Sequence, residues 1–402
     1  MMRSSPRLAE RPSKAEETPK RGRKRGPLWT RLLIVFGALL MVIGGGGIIA
    51  FKVVLDATVD SIDQVDADMG DSAVPAGEAL KGAMNILLVG VDDGVIEGVD
   101  KRSDEPVRAD SIMILHVPET HDRGYLISLP RDLWVRVPAY PKTNFNGGNG
   151  KLNSAYQTGY GDPKKPGFPG RSGGLELLTH TIREITGIRI NAAATVNFTG
   201  FTAAVKLLGG VTMTIDERVE SVHYGFDKNG KHCVPAIFDS NAVAHRVSGC
   251  KPRVFERGTR RLTAEEALDY TRQREWMELD DGDYGRQRHQ QQFIKALVGE
   301  AKAQGLTGNL PKALGLIDAV GGALSMWTNG QKVEDWFFTL KDIASGDLAM
   351  IKTNNGKFTP ANITGTSAEA LSEESKQMLE ALKAGQISAW LAGHPDWIGS
   401  SS

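Results

Sequence analysis

The 402-residue chain carries no formal net charge, with 48 Lys/Arg against 48 Asp/Glu, but the charge is unevenly divided. Residues 1–31 hold ten Lys/Arg and three Asp/Glu, a net of +7, and residues 32–402 hold 38 against 45, a net of −7. A mildly acidic body whose basic residues sit in a tail argues against a nucleic-acid-binding protein, because phosphate-backbone binding needs a basic domain.

The first 31 residues, rich in Arg, Lys, Pro, Ser and Glu, are expected to be a disordered cytoplasmic tail. Leu32–Phe51 is then twenty residues without a charge or a proline, long enough for a helix to cross a bilayer. A cleaved signal peptide is the rival reading, but its apolar core is shorter, about 7–15 residues. The run Gly44–Gly47 weakens the helix in a way that membrane spans tolerate. With +7 before this stretch and −7 after it, the positive-inside rule predicts a single-pass cell-membrane protein with a cytoplasmic N-terminus and an extracytoplasmic body. Residues 52–83, rich in Asp, Ala and Gly, read as a stalk.

Met84–Val91 (MNILLVGV) is a short continuous apolar run, as a strand buried on both faces should be. Ser111–Val117, Tyr125–Leu129 and Leu133–Val137 are the next predicted strands. Gly174–Gly187 places Leu175, Leu178, Ile182 and Ile185 at helical spacing, with Gly187 as a C-cap. A strand-like Ile188–Val196, a helix near Thr199–Leu208 and the strand VTMTI at 211–215 follow. This alternation predicts an α/β domain over residues 84–395, with a central mixed sheet sandwiched by helices. Two segments break the rhythm. Residues 139–174 read as a long Gly/Pro-rich loop, and such loops tend to be functional. Residues 219–258 read as an insertion holding both cysteines of the chain, Cys233 and Cys250, and an oxidising compartment favours a disulfide between them. Amphipathic segments at 312–324 and 368–391 continue the globular body.

The chemistry concentrates in 270–292. Thr263-x-x-Glu266 reads as a capping box opening a short helix that ends near Arg272 and Arg274. After a break at 280–285, a second helix carries Phe293, Ile294 and Leu297 on its apolar face, and counting back puts Gln290 and Arg286 on that same face. Such side chains are costly to bury unless paired. Arg272, Arg274, Arg286 and Arg288 between two helices suit a forked clamp for phosphate oxygens; internal Arg–Asp bridges are the structural alternative. Upstream, Asp92 and Asp93 follow the strand NILLVGV, and Asp110 heads the next strand behind Arg108. If these strands are neighbours, Asp92 and Asp110 converge at one edge as a Mg²⁺-type carboxylate pair; a turn cap and an Arg108–Asp110 ion pair are the alternative. Arg131 stands at a third strand end, aimed at a ligand or paired with Asp132. There is no Walker P-loop, G-x-S-x-G or H-E-x-x-H, which disfavours an NTPase, an α/β-hydrolase and a zincin.

Taken in order, NILLVGVD, RADSIMILHV, ISLPRDLWVRVP, KLNSAY, LLGGV, RLTAEEALDYTRQR and DGDYGRQRHQQQFI resemble the successive motifs of the LytR–CpsA–Psr family. The resemblance implies an α/β/α layered domain with an apolar prenyl groove, which periodicity does not locate. It implies an extracytoplasmic phosphotransferase that moves a glycopolymer from a polyprenyl-pyrophosphate carrier to peptidoglycan. Its partners would be that lipid-linked glycan, peptidoglycan and membrane lipid, with no nucleic acid. Mg²⁺ (or Mn²⁺) would sit on Asp92 and Asp110. Arg108, Arg131, Arg272, Arg274, Arg286 and Gln290 would surround the pyrophosphate, and Arg108, Arg131, Asp283 and Arg286 would act in catalysis. Asp283 would either orient an arginine or serve as general base. A pyrophosphate hydrolase built on the same clamp and a membrane-bound regulator without enzymatic activity are the competing readings.

Overall fold

A computed structural model of the chain describes residues 63–92, 107–305, 323–340 and 347–399. The basic tail, the apolar stretch 32–51, residues 52–62 of the expected stalk, Asp93 and most of the segment 312–324 lie outside the described residues. Within them, no helix is long and apolar enough to cross a membrane.

The first strands are β1 (Asp63–Gln64), β2 (Met84–Val91), β3 (Ala109–Val117), β4 (Arg123–Ser128), β5 (Trp134–Val137) and β6 (Gly148–Lys151). Then come β7 (Ala192–Asn197), β8 (Val211–Ile215), β9 (Val219–Phe226), β10 (His232–Cys233), β11 (Ala236–Phe238) and β12 (Ala244–Arg246). The last are β13 (Lys251–Phe255), β14 (Gly258–Leu262), β15 (Leu324–Trp327) and β16 (Asp347–Ile351). The helices are α1 (Leu152–Tyr160), α2 (Gly170–Thr186), α3 (Phe198–Leu207) and α4 (Ala264–Arg272). They continue with α5 (Asp283–Ala303), α6 (Val333–Leu340), α7 (Glu373–Lys383) and α8 (Ile387–Ala392).

Seven strands form a mixed central sheet in the order β1-β15-β7-β2-β3-β4-β16. β2 runs parallel to β7 and antiparallel to β3, so the apolar run MNILLVGV lies at the middle of the sheet and is covered on both faces. Leu87, Val89 and Val91 point into one core with Ile112, Ile114 and Ile127, against Leu175, Leu178 and Ile182 of α2 and Met378, Leu379 and Leu382 of α7. The alternate residues Ile86, Leu88, Met113, Leu115 and Leu126 face the other layer, toward Phe201 of α3, Leu268 of α4 and Phe293 and Leu297 of α5. This period-2 division of one apolar run between two layers is what positions the site.

Several boundaries differ from the sequence expectation, each for a packing reason. Residues 63–83 were expected to belong to a stalk, but they pack on the domain. β1 pairs in parallel with β15, Ala67 and Met69 enter the core, and the Asp68 amide donates to Glu176 Oε1 at 2.7 Å. Glu176 is buried in α2 and draws these partners in, together with Lys142 Nζ at 2.8 Å and the Tyr140 hydroxyl. The expected loop 139–174 contains β6 and α1, and α2 starts at Gly170. A Cβ at Gly173 would stand 2.4 Å from the Gly159 carbonyl oxygen, so only glycine lets α1 and α2 approach this closely. Gly187 takes the left-handed conformation (φ 68°) and ends α2. The strand VTMTI (β8) does not join the central sheet; it pairs with β14 over a second core that includes Tyr270, Phe293 and Leu297. In the 219–258 insertion, β9 is flanked by β10 and β13, β11 pairs with β12, and Cys233 and Cys250 are joined in a disulfide.

Candidate active site

The end of β2 and the start of β3 are adjacent, and the register slips by one residue between Gly90 and Val91. Asp92 stands just past this slip, its amide donating to the Arg108 carbonyl at 3.3 Å, and Asp110 sits two residues further along the neighbouring strand. Asp110 Oδ1 accepts a hydrogen bond from Arg131 Nη1. Arg131 Nε lies 3.5 Å from Asp283 Oδ1 and 3.8 Å from Asp132, and Asp132 is in turn held by Lys151 at 2.8 Å. Asp283 opens α5, where the helix dipole favours a carboxylate. One turn on, Arg286 Nη2 stands 2.6 Å from Asp283 Oδ1 and donates to the Asp110 carbonyl at 3.0 Å.

The α4 side completes the cluster. The capping box of Thr263 and Glu266 starts this helix, and Arg272 is its last residue. The Arg272 guanidinium lies 4.8 Å from the Phe198 ring centroid, in reach of a cation–π contact. Gln290 Nε2 donates to the Thr271 carbonyl at 3.4 Å, bringing α5 against α4. Arg274 is exposed two residues beyond α4 and adds its positive charge to the field felt by Asp283 and Arg286. Burial works against the charges of Arg272 and Arg286 and holds both below the usual arginine range, even with acidic neighbours opposing it. Burial also opposes ionisation of Asp283, but Arg286 and Arg131 outweigh it and hold the carboxyl below the ordinary range. Arg286 Nε and Gln290 Oε1 are buried without a hydrogen-bond partner among the described residues, and Arg131 Nε and Asp283 Oδ1 meet only each other's and neighbouring charges in ion pairs. Each unpartnered atom costs about 1–3 kcal/mol, so two of them beside a buried, charged cluster mark a site shaped for a ligand rather than for stability.

Two arginines stand apart from the cluster. Arg288 was expected in the clamp with Arg272, Arg274 and Arg286. Two residues along a helix from Arg286, it faces the opposite way, 2.8 Å from Asp216 and ion-paired with Glu217 and Asp281. Arg108 is exposed and donates from Nε to Gln157 of α1 at 3.0 Å, so its side chain borders the cluster rather than entering it.

Sequence reasoning missed two features and expected a third, an apolar groove, without placing it. Glu369 is buried beside the cluster, accepts the Tyr284 hydroxyl at 2.6 Å, and is pushed up to about 7, chiefly by burial. It arrives from 85 residues beyond Tyr284 and belongs to no motif. His223 of β9 is driven down to about 4 by burial and by Arg272 and Arg274, so the insertion reaches the cluster. The third is an apolar cavity of about 270 Å³ between the sheet and α3, α4, α5 and α6. At one end its lining includes Asp110, Arg272 and Gln290; further along come Met113, Leu115, Leu126, Phe293, Leu297 and Trp336. Ala192 and Ala194 of β7 leave the space that larger strand residues would fill, and that alanine run was the one sequence signal for it. An apolar ligand in this space would take the lining's apolar surface out of water. A cationic mouth on an apolar cavity suits an amphiphile with an anionic head.

The profile of the LytR_cpsA_psr family matches residues 52–382. The chain belongs to the LytR_cpsA_psr family. It is similar to the cell wall biosynthesis protein LcpA of Corynebacterium glutamicum, 24% identical over 342 residues that cover 80% of this chain and 59% of LcpA. The match thus spans about three fifths of LcpA's length. It is also similar to the polyisoprenyl-teichoic acid–peptidoglycan teichoic acid transferase TagU of Oceanobacillus iheyensis, 26% identical over 313 residues that cover 77% of this chain and 79% of TagU. The solved structure of protein gbs0355 from Streptococcus agalactiae shares the fold, with a TM-score of 0.54 at 20% identity over 77% of this chain and 90% of that one. For this LytR_cpsA_psr member, the mixed α/β architecture with a central sheet is therefore a property shared with solved structures.

Two carboxylate groupings bear on metal binding. Asp92 and Asp110 offer hard oxygens at one sheet edge, and Arg131 engages Oδ1 of Asp110. Asp216, Glu217 and His289 bring ligand atoms within 4.8 Å of one another, but Arg288 pairs with both carboxylates and already meets their charge.

Proposed function

We propose that this chain is an extracytoplasmic phosphotransferase that moves a glycopolymer from a polyprenyl-pyrophosphate carrier onto peptidoglycan. The observation that carries this reading is the apolar cavity opening at a guanidinium cluster, which matches one amphiphile with a long hydrocarbon tail and a diphosphate head. The similarity to TagU, a polyisoprenyl-teichoic acid–peptidoglycan teichoic acid transferase, and to LcpA, a cell wall biosynthesis protein, supports it.

In the proposed reaction an acceptor hydroxyl oxygen attacks the phosphorus bearing the glycan. The bond from that phosphorus to the bridging oxygen breaks, polyprenyl phosphate leaves with the electron pair and takes up the hydroxyl proton, and a glycan–phosphate–peptidoglycan diester forms. Such a transfer asks the protein mainly for positioning and charge stabilisation. Arg131, Arg272, Arg274 and Arg286 would hold the diphosphate, with Gln290 donating a further hydrogen bond and Arg108 at the rim. The unpartnered Nε of Arg286 is a donor free for a phosphate oxygen, and Arg131 Nε can exchange its long contact with Asp283 for one. Asp283, kept ionised by two arginines, is a weak base and is assigned to orienting them. Mg²⁺ fits Asp92 and Asp110, since the ion takes one or two carboxylates plus phosphate oxygens; when bound it would neutralise charge on the diphosphate. Localisation follows from the reading of residues 32–51 as a cell-membrane anchor with the body outside.

The test is an assay of the full chain in detergent with a polyprenyl-pyrophosphoryl saccharide, peptidoglycan fragments and Mg²⁺. A glycan–phosphate–peptidoglycan product, lost in Asp110→Ala, is expected. Release of saccharide phosphate without coupling, in the presence of a competent acceptor, would show a hydrolase instead.

A further inference from the structure

The 219–258 insertion is not used by the reaction above, yet it carries a dense group of exposed apolar side chains. β11 and β12 form an antiparallel ribbon with Ile237 opposite His245 and Phe238 opposite Ala244. Asp239 ties its turn, Oδ1 accepting from the amides of Asn241 at 2.8 Å and Val243 at 3.0 Å. Val234, Ile237, Phe238 and Val243 are 53, 63, 44 and 51% exposed. Four large apolar residues in water within ten positions differ from the single scattered hydrophobes of an ordinary surface. Lys228, Lys231 and Lys251 are exposed in the same insertion against Asp227 and Asp239, and Arg246 is balanced by Glu220, a slightly positive rim on a body of net charge −7. A two-stranded ribbon is marginal alone, and the Cys233–Cys250 bond staples this one across 17 residues.

The insertion is rooted, through β9 and Arg246, on the segment that follows the cavity-lining Arg272. The Glu220 amide donates to the Trp276 carbonyl at 3.1 Å and the Val222 amide to Gln273 Oε1 at 2.9 Å. Arg246, the last residue of the ribbon, lies 4.3 Å over the Trp276 ring and 2.6 Å from Glu220. The segment that receives these contacts, 273–276, is the continuation of Arg272 and includes Arg274.

We propose that the stapled ribbon is a membrane foot. Its apolar side chains enter the headgroup–acyl boundary of an anionic bilayer, and its basic rim meets the lipid headgroups. The cavity mouth is thereby held against the leaflet that supplies the lipid substrate. An apolar edge with a Lys/Arg rim is the composition that binds such interfaces, and each basic residue near an anionic surface strengthens the attachment. The role of the foot in substrate delivery rests on the proposed carrier-lipid reaction; its contact with the bilayer does not.

The test uses the full chain in phosphatidylglycerol/phosphatidylcholine vesicles. The two native cysteines are paired, so Ile237→Cys supplies a single free thiol for an environment-sensitive dye, with Lys376→Cys on α7 as the control position. Expected is blue-shifted emission, quenched by bromolipids, at 237 and not at 376. Unshifted emission at 237 would overturn the proposal. This readout needs no turnover, so it stands or falls separately from the proposed reaction. In turnover, the double variant Ile237→Asp, Phe238→Asp should raise KM for a bilayer-embedded carrier about tenfold while leaving a short-chain, water-soluble carrier unaffected. Equal loss on both carriers would mean that the ribbon serves the saccharide or the fold, and would overturn the foot.

Discussion

Arginines two residues apart on one helix do opposite work here. Arg286 faces the acidic cluster of the candidate site and leaves Nε unsatisfied, whereas Arg288 closes an internal network with Asp216, Glu217 and Asp281. Arg286→Ala and Arg131→Ala are therefore expected to lower kcat ~10²–10³-fold in protein that still shows a cooperative thermal melt, as for loss of a donor aimed at transition-state charge. Arg288→Ala should behave the other way. It strips a cation from the buried Glu217 and should cost about 3 kcal/mol in denaturant unfolding. Glu369 supplies a pH test. Its folded value, about 7, lies above the ordinary 4.5, so folding favours the protonated form. The stability it contributes is fully present below about 4.5 and is lost as pH rises through about 7. The Tm of the native chain should fall between pH 5 and 8 more than that of Glu369→Gln, which keeps an acceptor for Tyr284 but cannot ionise. Parallel Tm–pH curves would rule out Glu369 as the titrating group.

At the scale of elements, helix ends were legible because they have local chemical signatures. Thr263 and Glu266 form the capping box that the sequence predicts, and Gly187 caps α2 in the left-handed conformation. β2 was legible to the residue, since a strand buried on both faces has to be apolar throughout. β8 was legible as a strand but not as a member of its ribbon, because pairing is decided by a partner 45 residues away. The position of the cavity was not legible from periodicity. Ala192–Ala194 reads as weak strand sequence, and only its place beside β2 and β15 makes small side chains into open space. Ala194→Leu should fill that space, leave the melt unchanged or raised, and abolish co-purification of prenyl lipid, measured by mass spectrometry of the extracted protein. Retained lipid at the native level would place the tail elsewhere.

For the whole molecule, the segment 63–83 is the largest revision. An Asp/Ala/Gly-rich stretch after an apolar run looks like a spacer, but Met69 is buried in the main core and β1 closes one edge of the sheet. A chain starting at residue 84 should melt at least ~5 °C below one starting at 63, since it uncovers core surface and an unpaired edge strand. Equal melting points would return the segment to the status of a stalk. The sequence alone determined the central strand β2, the capped ends of α2 and α4, the charge division between tail and body, and which residue types gather near the site, because these depend on local periodicity, capping and composition. It named Asp92, Asp110, Arg131, Asp283 and Arg286 as candidates, and the fold sets the last four in direct contact. Only the tertiary structure decided that Arg288 turns away, that Glu369 arrives from far along the chain, and that small residues on β7 open a cavity. Those outcomes depend on which distant surfaces meet, and local sequence carries no record of that.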